Sequence, residues 1–227
     1  MFNALKSIIN GVMDAFGDAG HAQDAQDRPT PFDIAAVLHL LSSPTSPLVG
    51  RLPLLPPETV LDILEYAEYW QSLRAIQATP ARITSQDQGG NVLHLSTPVF
   101  PARSVPARMV RRIEIRTVSH DQGWSSDNDA LHRTYEASWT WFEAALLDPP
   151  TEPDEDGFAE NGPRYEVVRN VHAGRDFKEH RIVWGPDHPL VQQARPGQRV
   201  GVFTRAMFPG WVNFVREIEI VVYLGWP

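Results

Sequence analysis

The stretch "SHDQGWSSD", Ser119 to Asp127, sets His120, two carboxylates, the amide of Gln122 and the indole of Trp124 around one glycine. An aromatic face beside carboxylate and amide groups suits a sugar or another polar ligand, because ring faces pack on C–H surfaces while amides fix hydroxyls. The same residues also make a turn. Asp121 can hydrogen-bond the backbone two residues on, and Gly123 accepts positive φ. The stretch therefore reads as a tied loop first and as a ligand grip made by Asp121, Gln122 and Trp124 second.

Further candidates lie downstream. Asn170 and His172 alternate onto one face of their strand, His180 shares a face with Ile182 and Trp184, and Arg205 shares one with Phe203. Trp211 and Asn213 flank a turn made by Pro209 and Gly210. These residues are either additional ligand contacts or buried polar groups that partner one another. Catalytic signals are thinner. Asp121, Glu143 and Glu179 are the carboxylates from which a glycosidase pair could be drawn. There is no Gly-rich phosphate loop and no Gly-x-Ser-x-Gly elbow. None of the eight histidines pairs at the i, i+4 spacing of zinc proteases. We assign no catalytic residue, metal ligand or cofactor from the sequence.

Bulk properties narrow the classes further. The 227 residues carry a net charge of −8, which argues against nonspecific grip on a nucleic-acid backbone. With zero cysteines there is no disulfide framework, iron–sulfur cluster or thiol nucleophile, and a reducing, cytoplasmic setting is expected. Twenty prolines predict many turns. No run approaches the roughly 20 apolar residues needed to cross a bilayer.

The elements that must position these side chains fall into three segments. Residues 1–20 read as an amphipathic helix, with Phe2, Leu5, Ile8, Ile9, Val12, Met13 and Phe16 on one stripe. Docking on its own protein or on a partner is the first reading of this helix, and membrane contact, confined to residues 1–16, is the alternative. Residues 21–80 read as a polar linker followed by helices at Phe32–Ser43 and Pro57–Ile76. Residues 81–227 alternate with a period of two. The expected strands are Ala81–Gln86, Asn91–Ser96, Val110–Ser119, Tyr135–Leu146, Arg164–His172, Phe177–Trp184, Arg199–Met207 and Phe214–Leu224. Eight short strands with turn-rich connections predict a mainly β fold, an antiparallel jelly-roll-like β-sandwich preceded by N-terminal α-helices. The acidic, proline-rich stretch 148–163 reads as an insertion loop.

Charge patterning predicts one pairing. Arg112, Glu114 and Arg116 lie opposite Ile113 and Ile115 across their strand, and Glu217 and Glu219 lie opposite Ile218, Ile220 and Val222. Opposite charges on adjacent strands attract, so the two strands are expected to be neighbours with Arg112 and Arg116 against Glu217 and Glu219. In "YEASWTWFEAAL" both faces are apolar, which predicts a strand covered on both sides.

The ordered series "SHDQGWSS", "YEASWTWFEA", "RNVHAG", "HRIVW" and "FPGWVN", followed by "EIEIVVYLGW", resembles a family of fungal proteins of unassigned function. The resemblance spans about residues 111–226 and implies a β-rich C-terminal region without implying an activity. Separately, "LLPPETVLDILEYAEYW" resembles the opening of an F-box through Leu55, Pro56, Glu58, Ile63 and Leu64. That likeness implies docking of a ubiquitin-ligase adaptor through residues 54–70. The expected function is a non-catalytic interaction protein whose loops bind a polar small molecule, a glycan or a protein surface and whose N-terminal helices dock a partner. The alternatives are a carbohydrate-active hydrolase and a membrane-associating protein.

Overall fold

The computed structural model describes residues 31–42, 55–101, 110–149 and 159–225, which divide into two compact units meeting at Ser72 and Leu73. The expected helix over residues 1–20, the linker before residue 31 and most of the acidic insertion lie outside the described residues.

In the first unit, α1 (Pro31–Ser42) packs with α2 (Pro57–Tyr66). Pro57 occupies the first turn of α2, where a missing N–H costs nothing, and Glu58 lies at the positive end of the helix dipole. Val60 and Leu64 are fully buried in a cluster with Val37, so this face of α2 is already covered within its own unit. The expected helix to Ile76 is too long. Ala67 caps α2, Glu68 takes a φ of 54°, and the chain becomes a strand at Gln71.

The second unit is built from β1 (Gln71–Gln77) from Leu73 onward, β2 (Ala81–Thr84), β3 (Asn91–Ser96), β4 (Val110–His120) and β5 (Thr140–Asp148). It continues through β6 (Ala159–Arg169), β7 (Lys178–Trp184), the short helix α3 (Pro189–Gln193), β8 (Arg199–Ala206) and β9 (Val212–Leu224). One antiparallel sheet runs β1-β9-β4-β7, with β2 also on β9. The other runs β3-β8-β5-β6. The pairs are nested: β5 with β6, β4 with β7, β3 with β8 and β2 with β9, alternating between the sheets. Between them Phe142, Ala144 and Leu146 of β5 share a core with Ile113 and Ile115 of β4 and Ile218, Ile220 and Val222 of β9.

β4 and β9 are neighbours, as the charges predict. Arg116 lies across from Glu219 and bonds it through Nε at 3.2 Å, while its two terminal nitrogens reach Glu217 and, at 3.1 Å, Glu179 of β7. Arg112 departs from the expectation. It stands across from Tyr223, lies over that ring and pairs with Glu114 at 3.2 Å.

The strand expected from Tyr135 starts only at Thr140, because positive φ at Arg133 and Ala137 breaks the extended chain before it. From there both faces are buried: Ala145 and Leu147 form a second cluster with Phe203 on the outer side. β6 begins inside the acidic stretch, at Ala159, since Ala159, Glu160 and Asn161 pair with Asp148, Leu147 and Leu146.

Candidate functional site

Strand register places the β4–β5, β6–β7 and β8–β9 connections at one end of the sandwich. Ser119 pairs with Lys178, His120 with Phe214, Thr140 with Ala206 and Trp141 with Arg169. The first two of these connections are zipped together. The Arg133 amide donates to the His172 carbonyl at 2.9 Å, and the His172 amide donates to the Thr134 carbonyl at 2.8 Å.

Asp121 locks the arrangement from beneath. It is wholly buried, with Oδ1 accepting from the Gly123 amide at 2.8 Å and Oδ2 from the Ala173 amide at 2.7 Å. Burial pushes its carboxyl above the usual carboxylate range, against the opposing pull of the Gly123 and Ala173 amides. Gly123 has a φ of 80°, and a Cβ there would come within 2.3 Å of Arg175 Cγ. The Arg175 Nε in turn donates to the Gly123 carbonyl at 2.9 Å. Gln122 ties the loop on its other side, donating to the Trp124 carbonyl at 2.7 Å and accepting from the Val212 amide at 3.3 Å.

Above this clamp lies a half-open cavity of about 970 Å³. Trp124, His132, Arg133, Arg175, Phe177 and Lys178 are among its lining residues. Trp124 is 57% exposed.

The candidate residues do not all reach this cavity. Trp124 lines it, while Asp121 and Gln122 support its wall. Asn170 and Asn213 belong to a buried knot instead. Asn170 accepts from Ser119 Oγ at 2.7 Å and donates to Thr140 Oγ1 and Asn213 Oδ1, both at 2.9 Å. Asn213 donates to the carbonyls of Trp141 and Arg205 at 3.3 and 3.2 Å. This knot joins the sheets and satisfies the polar groups that burial would otherwise penalise.

His172 is fully buried beside Trp211 and His132, with ring centroids at 5.2 and 5.4 Å. Its Nδ1 meets the Glu136 carbonyl at 2.9 Å, which makes that nitrogen the donor, and Nε2 has no hydrogen-bond partner. His180 meets the Tyr135 hydroxyl at 3.1 Å. Burial first, and the Lys178 charge second, hold His180 below its usual value.

Arg205 is elsewhere. Its guanidinium lies 5.2 Å from the Trp141 ring on the outer side of the other sheet, and 3.5 Å from Glu143. Sequence spacing put Arg205 with Phe203 correctly, but that face is not the rim.

The three carboxylates considered for hydrolysis have different partners. Glu143 is held by Arg164, Arg205 and the Trp141 indole on β5, Glu179 bonds Arg116 on β7, and Asp121 is sealed under the rim loop. No two of them bond a common partner among the described residues. Among the described residues no group of three histidines and carboxylates is arranged to hold a metal ion. None of their helices is long and apolar enough to cross a membrane.

The sequence reasoning overlooked His132, Arg133, Arg175 and Lys178. The usable signal was cationic residues in two loops of an acidic chain, "LHRTY" and "HAGRDFK".

No protein-family model matches the chain, and no curated protein matches it. Among solved structures, a chain titled Desmodium yellow mottle tymovirus aligns at 13% identity over 68% of this chain and 91% of its own, with a TM-score of 0.18.

Proposed function

We propose that this protein is a non-catalytic recognition module, a jelly roll whose rim cavity binds a polar ligand, with carbohydrate the class that fits best. The nested pairs β2–β9, β3–β8, β4–β7 and β5–β6, alternating between two sheets, support the jelly-roll reading. Trp124 carries the ligand reading. An indole of on the order of 200 Å² left largely in water forfeits a few kcal/mol of hydrophobic stabilisation. A ring kept in the open on a cavity wall is suited to stacking on the C–H face of a sugar.

Kinship with a fungal family of β-rich proteins is part of the same proposal and rests on the ordered motifs alone. A cytoplasmic setting is also proposed, on the cysteine-free composition. Adaptor docking through residues 54–70 has less behind it, because Val60 and Leu64 are already buried.

A glycan array probed with wild type and Trp124→Ala tests the ligand reading, with circular dichroism confirming that the variant folds. Binding by wild type that is lost in the variant is the expected result. Equal binding by both proteins, or none by either, overturns it.

A further inference from the structure

The cavity wall differs in charge from the rest of the molecule. The chain carries −8, yet the charged residues lining the cavity are Arg133, Arg175 and Lys178 against Asp176 alone. Elsewhere Arg74, Arg112, Arg116, Arg164, Arg169, Arg181 and Arg205 each bond a carboxylate. The two cavity arginines, like Arg195 and Arg216, bond none among the described residues. The described residues offer Arg133 no side-chain partner, and Arg175 bonds only the Gly123 carbonyl, through Nε. Lys178 faces the Tyr135 ring at 4.8 Å instead of an acid.

Two details sharpen this pattern. Asp121, under the rim loop, has both oxygens occupied by backbone amides. His132, also on the wall, has a buried Nε2 without a hydrogen-bond partner. Cations left without counter-charges in a concave site attract anions, and a guanidinium grips an oxyanion with two parallel N–H donors.

We infer that the rim cavity binds an acidic saccharide, one carrying a carboxylate or sulfate group. The anion sits against Arg133, Arg175 and Lys178 while a sugar face stacks on Trp124. This inference rests on the rim being a saccharide site and adds the charge of the saccharide.

The test uses the full chain and follows Trp fluorescence on titration with trigalacturonate, a sulfated heparin disaccharide, neutral cellotriose and inorganic sulfate. At least one acidic saccharide is expected to bind, and cellotriose is not. Arg133→Gln and Lys178→Gln remove exposed cationic heads without touching the Asp121 clamp. Each is expected to weaken acidic-saccharide binding about tenfold, roughly the loss of one charge-assisted contact. About 1 M sodium chloride, where screening acts within about 3 Å, is expected to weaken it further. Cellotriose binding as tightly as the acidic sugars, with both variants unaffected, overturns the charge assignment and leaves the saccharide site standing. Inorganic sulfate binding as tightly as any sugar overturns the saccharide half. Binding by none of the four probes removes both the inference and the reading beneath it.

Discussion

Asp121 bonds backbone amides from two different loops, and Gly123, one of those donors, has a positive φ and sits where a Cβ would run into the Arg175 side chain. The sequence reading of "DQGW" as a tied loop was therefore physically sound, because Asp followed two residues later by Gly is turn chemistry wherever it occurs. It could not reveal that the second Asp121 oxygen reaches Ala173, a contact made only by the fold. Gly123→Ala is expected to destabilise the protein by roughly 1–3 kcal/mol, since it forces an L-residue to positive φ and pushes Cβ into Arg175. Urea unfolding measures this, and a change below about 0.5 kcal/mol is the outcome that would contradict it. The cationic lining was harder to read. Arg133 and Arg175 sit about forty residues apart, in loops whose meeting depends on strand register. No local pattern announces that.

At the scale of elements, alternation made most strands legible, and Arg116 opposite Glu219 was legible from charge alone. Arg116→Ala would leave Glu179, Glu217 and Glu219 without their shared cation, although Glu219 keeps Arg74 at 2.5 Å. A destabilisation of about 1 kcal/mol is expected, falling at high salt where carboxylate repulsion is screened. Denaturation of both proteins at low and high ionic strength checks it; a loss that is independent of salt would point to packing instead. The misreadings have local causes. Gln71–Gln77 is made of residues that suit a helix as well as a strand, and pairing on β9 decides the outcome. The Tyr135 stretch alternates like a strand, but Arg133 and Ala137 adopt positive φ, which neither residue type advertises. Trp141 and Phe203 on an outer sheet face stay buried because guanidinium groups lie over their rings, Arg164 at 3.6 Å from Phe203 and Arg169 at 5.0 Å from Trp141.

Across the whole molecule, histidine burial sets an acid dependence. His94, His180 and His188 are each held below 6.5 chiefly by burial. Unfolded, they take up protons near 6.5, while the folded chain accepts them only at lower pH. Between those values the unfolded state binds more protons, so stability rises with pH there. The contribution is fully present above 6.5 and is lost as pH falls through the lowered folded values. Urea midpoints should therefore decline as pH drops below 6.5, and His94→Gln should reduce the slope. An unchanged slope would mean that His94 titrates alike in both states. The nested strand order has a kinetic consequence as well. β2 must find β9 across some 130 intervening residues, so most of the chain must be gathered before that pairing repays its lost entropy. Such topologies fold in milliseconds to seconds, slowly for a chain of this size. Until the outermost strands close, the β4 and β9 edges stay open to other chains, and the refolding yield should therefore fall as concentration rises.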